Sequence, residues 1–146
     1  MILRTADEAM LPAILSIEQE SFPIPWSEGS FLSELYSEDA FVQAAFAGDE
    51  LAGYCVTHFS PDDGEIYKIA VRNDQRRGGI ASALMESAVA EAEKRGAQRL
   101  FLEVRAGNQP AIGLYKKFGF SASFVRKGYY DRPKEDAVVM IKEVEA

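Results

Sequence analysis

The sequence holds a single cysteine, Cys55, and a single histidine, His58, in 146 residues. A lone cysteine excludes an internal disulfide and a cysteine-rich zinc site. A lone histidine puts a His-based metal cluster out of reach, and no metal is expected. No apolar run approaches the roughly 18 residues needed to cross a bilayer as a helix, so no membrane span is expected. Basic residues are scarce as well: 16 Lys and Arg stand against 23 Asp and Glu, a formal charge of −7. Binding nucleic acid directly requires a basic face to neutralise phosphates, so no direct nucleic-acid partner is expected. A basic partner fits better. Asp7 and Glu8 put acids where a secretory signal would carry its apolar core, and the expected location is cytoplasmic. Repeats, low-complexity tracts and linkers are also missing, so residues 1–146 are read as one domain, a monomer or weak dimer.

What is present is globular: 47% apolar, 27% charged and 11% aromatic. Met1–Arg4 reads as a short strand, and Thr5 with Glu8 three residues on resembles a capping box for a first helix carrying Met10, Ile14 and Ile17. Phe22-Pro23-Ile24-Pro25-Trp26 is expected to be non-helical, because its two prolines remove donors and restrict their predecessors. Ser27 can cap a second helix with Phe31 and Leu35 on one face. Phe41–Phe46 and Leu51–Phe59 read as strands joined at Gly48-Asp49, and Glu65–Val71 as another after the Pro61–Gly64 turn. A long helix runs from Gly79 to Arg95 with Leu84, Ala88 and Ala92 stacked along it, closed by Gly96. Arg99–Val104 is a strand and Pro110–Lys117 a short helix ending at Gly119. Phe120–Tyr130 and Ala137–Val144 are the last two strands. The order β-α-α-β-β-β-α-β-α-β-β predicts an α/β (mixed α+β) fold, a central sheet flanked by helices.

The segment after the strand Ile69-Ala70-Val71 carries the most chemistry. Arg76-Arg77-Gly78-Gly79-Ile80-Ala81 brings two adjacent glycines and two arginines to a helix start, where free backbone N–H groups favour a phosphate. A glycine loop with a surface arginine pair reads equally well from these residues alone. No Gly-Lys-Ser/Thr follows, and the three-glycine dinucleotide spacing is missing.

Arg76-x-x-Gly79-x-Ala81 resembles the Arg/Gln-x-x-Gly-x-Gly/Ala signature of the GNAT acetyltransferase superfamily. Leu102-Glu103-Val104-Arg105, Asn108, Ala111-Ile112, Leu114-Tyr115 and Gly119-Phe120 look like its second block. Within the superfamily the chain is similar to the RimI group of ribosomal-protein-alanine N-acetyltransferases, through Pro25-Trp26-Ser27, Tyr129-Tyr130 and Glu135-Asp136-Ala137. It departs from that group at Lys68, where Asn is usual, at the extra Pro23-Ile24, at Gly107 for a frequent Ser, and at Ala81 for the commoner glycine.

The resemblance implies a GNAT fold and acetyl-coenzyme A as co-substrate. It implies acetyl transfer, in a ternary complex, to the N-terminal amine of a basic protein or peptide such as a ribosomal protein. It also implies a site. Ile69, Ala70 and Val71 would line the pantetheine arm, with the Val71 N–H polarising the thioester carbonyl. Arg76, Arg77, Gly78, Gly79, Ile80 and Ala81 would cradle the pyrophosphate, and Asn108 would bond the pantetheine unless it only caps a helix. Glu103 would act as base and Tyr115 as acid. Structural alternatives for these two are a strand-end charge paired with Arg105 or Arg99, and a core aromatic packed with Phe118 and Phe120. The resemblance also implies Glu65 as a second candidate base, four residues before Ile69 where many GNAT enzymes carry theirs; strand alternation would put it with Tyr67, Ile69 and Val71 on one face. Trp26, Tyr129 and Tyr130 are candidate substrate-lining residues or simple packing aromatics. Cys55 is read as a buried apolar residue, His58 as a surface or turn-packing one, and Arg126-Lys127 as a solvated strand edge.

A lysine or small-molecule amine as acceptor, or a noncatalytic acyl-coenzyme A-binding module, remains the alternative reading.

Overall fold

The computed structural model describes residues 1–144. Eleven elements follow the order read from the sequence: β1 (Ile2–Thr5), α1 (Leu11–Ser21), α2 (Glu28–Leu35), β2 (Ala40–Ala47), β3 (Glu50–Phe59), β4 (Asp63–Val71), α3 (Ile80–Arg95), β5 (Arg99–Arg105), α4 (Gln109–Lys117), β6 (Ser121–Tyr130) and β7 (Glu135–Glu143). The seven strands form one sheet in the order β1-β2-β3-β4-β5-β7-β6. All neighbours are antiparallel except β4 and β5, which run parallel because α3 carries the chain from one to the other.

The sheet buries both faces. Leu11, Ile14 and Ile17 of α1 and Phe31 of α2 pack on Val42, Tyr54 and Val56 from one side. Ile80, Leu84, Ala88 and Ala92 of α3, with Ile112 and Tyr115 of α4, pack on Cys55, Ile66, Leu100 and Met140 from the other. Leu84 is fully buried, so Leu84→Ala is expected to cost about 2–5 kcal/mol through lost burial and a cavity. Urea unfolding monitored by circular dichroism measures it.

Several local signals act as their chemistry requires. The Ser27 hydroxyl accepts the Ser30 N–H at 3.2 Å and starts α2. Gly96 closes α3 in the left-handed region, at φ +75°. Thr5 does not cap a helix. Its backbone is taken up by β1, paired with Gln43 of β2, and a short 3-10 turn led by Asp7 intervenes before α1. Glu103 pairs with neither Arg105 nor Arg99: Arg99 faces Asp63 and Arg105 faces Glu135, each at 3.4 Å.

Two irregularities position the site. The β4–β5 ladder extends only from Asp63↔Arg99 to Ile66↔Leu102, so the strands part beyond it. On its other edge β4 shifts register against β3: Val56 faces Lys68 while Thr57 faces Ile66, leaving Tyr67 as the extra residue of a bulge. The bulge breaks the alternation expected of this strand. Ile66, Ile69 and Val71 pack with the α3 layer, whereas Ala70 packs with the α1 layer. Tyr67 stacks on His58, with ring centroids 5.5 Å apart, and is not packed in the α3 layer with Ile69 and Val71, although it borders the same cavity as Ile69.

Candidate active site

Where β4 and β5 part, a cavity of about 480 Å³ opens, lined by Lys68 and Ile69 from β4, Glu103 and Arg105 from β5, and Tyr115 from α4. Asn108, Tyr129 and Tyr130 close it on the β5 side, and Phe22, Pro23 and Ile24 form a lip above it.

The parting exposes backbone. The Arg72 N–H donates to the Ala52 carbonyl on β3 at 2.7 Å. Backbone groups alternate along a strand, so those of Val71 and Ile69 point the other way, toward the place β5 has left. Those of Ala70 turn to β3. Of the three residues expected along a pantetheine arm, Ile69 therefore turns its donor and acceptor, and Val71 its N–H, toward the gap; the Val71 carbonyl is taken by Arg76.

Past β4 the chain turns into α3 through two left-handed residues, Arg77 at φ +70° and Gly79 at φ +80°. Gly79 stands at the N-cap with no side-chain cap, and the first N–H groups of α3 are left for an anion. Arg76 folds back, donating its Nε–H to the Val71 carbonyl at 3.3 Å, and so ties this loop to the end of β4. Asn108 does cap α4, accepting the Ala111 N–H on Oδ1 at 3.3 Å, yet it also lines the cavity. Capping α4 does not take the residue out of the cavity wall.

Two carboxylates line the cavity, Glu103 on β5 and Asp131 just past β6. The Glu103 Oε1 lies 3.4 Å from the Arg126 Nε, while Oε2 is buried without a hydrogen-bond partner among the described residues. An acceptor left this way asks for a donor from a ligand or water. The Glu103 charge is the main cause that raises the Tyr129 hydroxyl, and after burial it helps push Tyr130 up to about 12. Glu65 does not line the cavity, but it senses the same field. Burial first and the Glu103 charge second raise its carboxyl, against Arg126 and His58. Arg126 and Lys127 are both exposed on the edge strand β6, as expected, and Arg126 also faces Glu103.

Tyr115 is 7% exposed and packs on Phe120 with centroids 6.2 Å apart. It is a core aromatic that also borders the cavity, and burial holds its hydroxyl well above the ordinary phenol range. Trp26 does not line the cavity. It packs on Phe31 at 5.2 Å and Tyr67 at 6.0 Å, behind the lip. His58, read as a surface or turn-packing residue, is partly buried: it pairs with Glu34 at 2.8 Å and stacks on Tyr67.

Sequence reasoning missed Glu18. It is fully buried on α1, where its carboxylate accepts from the Tyr54 hydroxyl, the Trp26 N–H and the Lys68 ammonium. The signal was available: Glu18 falls four residues after Ile14 and seven after Leu11, on the buried stripe of the helix.

The model of the acetyltransferase (GNAT) family matches residues 11–120. The chain belongs to the GNAT acetyltransferase family. This GNAT chain is 39% identical over 140 residues to the [ribosomal protein bS18]-alanine N-acetyltransferase of Escherichia coli (strain K12), covering 94% of this chain and 92% of that protein. It is 38% identical to the protein of the same name from Salmonella typhimurium, over 95% of this chain and 93% of the other. Among solved structures, the E. coli ribosomal-protein-S18-alanine N-acetyltransferase superposes with a TM-score of 0.92 at 34% identity, over 99% and 94% of the two chains. The ribosomal-protein-alanine N-acetyltransferase from Brucella melitensis gives 0.85 at 25% identity, over 98% and 99%. The GNAT fold and an acetyltransferase activity follow for this chain. Among the described residues, no helix is long and apolar enough to cross a membrane.

Proposed function

We propose that this GNAT enzyme transfers the acetyl group of acetyl-coenzyme A to the α-amine of a protein beginning with alanine. A ribosomal protein is the substrate class its relatives point to, and the cytoplasm is where such a substrate is made. The observation that carries the reading is one cavity bordered at once by the Glu103 and Tyr115 side chains and the free edge of β4. The co-substrate fits these residues: Ile69 and Val71 can pair with its extended arm, and the start of α3 with its pyrophosphate. When bound, it supplies a thioester that an amine can open.

The residues divide the work. Glu103 takes the proton that the ammonium must lose, directly or through a water. The Val71 N–H donates toward the thioester carbonyl oxygen as negative charge builds there. Tyr115 gives a proton to the departing sulfur. A buried phenol is a weak acid, but the same burial raises the proton affinity of a thiolate in that cavity, which keeps the transfer feasible.

Deprotonation cost selects the acceptor. At pH 7 an α-amine of pKa about 8 costs roughly 1.4 kcal/mol to deprotonate, and a lysine of pKa about 10.4 roughly 4.6 kcal/mol. A single carboxylate base suits the former. A chain of net charge −7 also draws a basic peptide end toward it.

Release of free thiol from acetyl-coenzyme A should rise sharply with an Ala-initiated basic peptide, and not with a small amine or with no acceptor. Glu103 lines the cavity and Glu65 does not, so the two glutamates should differ. Glu103→Gln is expected to lose roughly 10²–10³ in turnover at pH 7 and to recover as pH passes the amine pKa, where the acceptor deprotonates unaided. Glu65→Gln should lose far less and keep the parental pH profile. Turnover against pH checks both, and the opposite pattern would move the base to Glu65.

A further inference from the structure

We infer that the Glu18–Lys68 ion pair is a positioning device that fixes the Phe22–Trp26 lip against β4 and thereby sets how tightly the acceptor peptide is held. The inference rests on the peptide reading above. Glu18 leaves the last turns of α1 fully buried and gathers three elements on one carboxylate. Oε1 accepts from the Tyr54 hydroxyl of β3, and Oε2 accepts from the Lys68 ammonium of β4 at 2.8 Å and from the Trp26 N–H at 2.8 Å. The Lys68 ammonium also lies 3.8 Å from the Phe22 ring centroid and 5.4 Å from that of Trp26. One ion pair therefore holds both ends of the lip, Phe22 through its ring and Trp26 through its backbone.

The lip between these anchors is stiff. Pro23 and Pro25 fix their own φ and restrict Phe22 and Ile24, so holding the ends places the middle. Phe22, Pro23 and Ile24 then border the cavity together with Lys68 itself. A buried ion pair adds little net stability over an apolar pair of the same size, so its effect here is geometric. With one carboxylate shared between lip and β4, the peptide-facing wall keeps a fixed distance from the strand that faces the co-substrate.

Trp26 is the only tryptophan in the chain, so its fluorescence reports the lip directly. Lys68→Met should raise acrylamide quenching of Trp26 in the unliganded protein. With an Ala-initiated peptide it should raise the peptide KM about tenfold, the loss of one charge-assisted contact. The peptide KM should change by a larger factor than either turnover at saturation or the KM for acetyl-coenzyme A. Lys68→Arg should restore most of the peptide KM. The double variant Glu18→Gln/Lys68→Met, which leaves no unpaired buried charge, should match Lys68→Met rather than add to it. It also carries the test if Lys68→Met alone fails to fold. Unchanged quenching, additive effects, or a KM for acetyl-coenzyme A that rises alongside that for peptide would overturn the inference. If the parent fails to acetylate the peptide, the peptide reading fails instead, while quenching still reports whether the pair holds the lip.

Discussion

Gly79→Glu is expected to abolish acetyl-coenzyme A binding while the protein still folds. The residue sits at φ +80° at the start of α3, and nothing lies within 4 Å of the position its Cβ would take. No clash therefore opposes the side chain. The backbone penalty of a non-glycine residue in that region is about 1–2 kcal/mol, against a total stability of roughly 5–15 kcal/mol for a domain. A carboxylate beside the first free N–H groups of α3 is itself favoured there by the helix dipole. That is why it competes: it fills the space and supplies the charge that the pyrophosphate would bring, and it repels the phosphates. Gly79→Ala carries the same strain without the charge and should keep most of the affinity. Calorimetric titration measures both, with a thermal melt to verify folding. An affinity for Gly79→Glu within a few-fold of the parent would remove the phosphate from this loop.

Tyr115→Phe should lower turnover by roughly 10²–10⁴, the span expected when a general acid is lost. The ring is retained, so its packing on Phe120 and its place in the α4 layer survive. Only the hydroxyl disappears. Co-substrate affinity should change little, because the binding surface argued above consists of backbone groups of β4 and the α3 start. Single-turnover kinetics with saturating acetyl-coenzyme A isolates the step. Because burial holds the Tyr115 hydroxyl above the ordinary phenol range, the parent should show no loss of this acid up to about pH 10. A variant that turns over like the parent would leave Tyr115 a packing residue only.

The elements were legible where one residue type decides local geometry. Gly96 can take the left-handed conformation that ends a helix, Ser27 can accept an N–H at a helix start, and both do so. The Thr5-x-x-Glu8 pattern misled because β2 claims Thr5 for the sheet, a pairing more than thirty residues away that no local motif encodes. The bulge at Tyr67 was hidden for the same reason: it is defined by the register of β3 against β4, and no glycine marks it. Its consequence was the misplaced alternation of Glu65 and Tyr67 with Ile69 and Val71. Glu103, Tyr115 and Asn108 were legible as a block, and they meet at one cavity because β5 and α4 are consecutive and flank the same parting. The lip was legible as non-helical from its prolines, whereas its anchor on Glu18 required reading an acid on an apolar stripe as a meaning rather than an exception.

The central claim is that the cavity presents its base to a chain terminus. The most direct measurement uses an unblocked Ala-initiated peptide with one internal lysine, incubated with the enzyme and acetyl-coenzyme A and fragmented in a mass spectrometer. The expected result is one added acetyl group, carried by the first residue's α-amine, with the lysine unmodified. An acetyl group on the lysine, or none on the peptide, would contradict it.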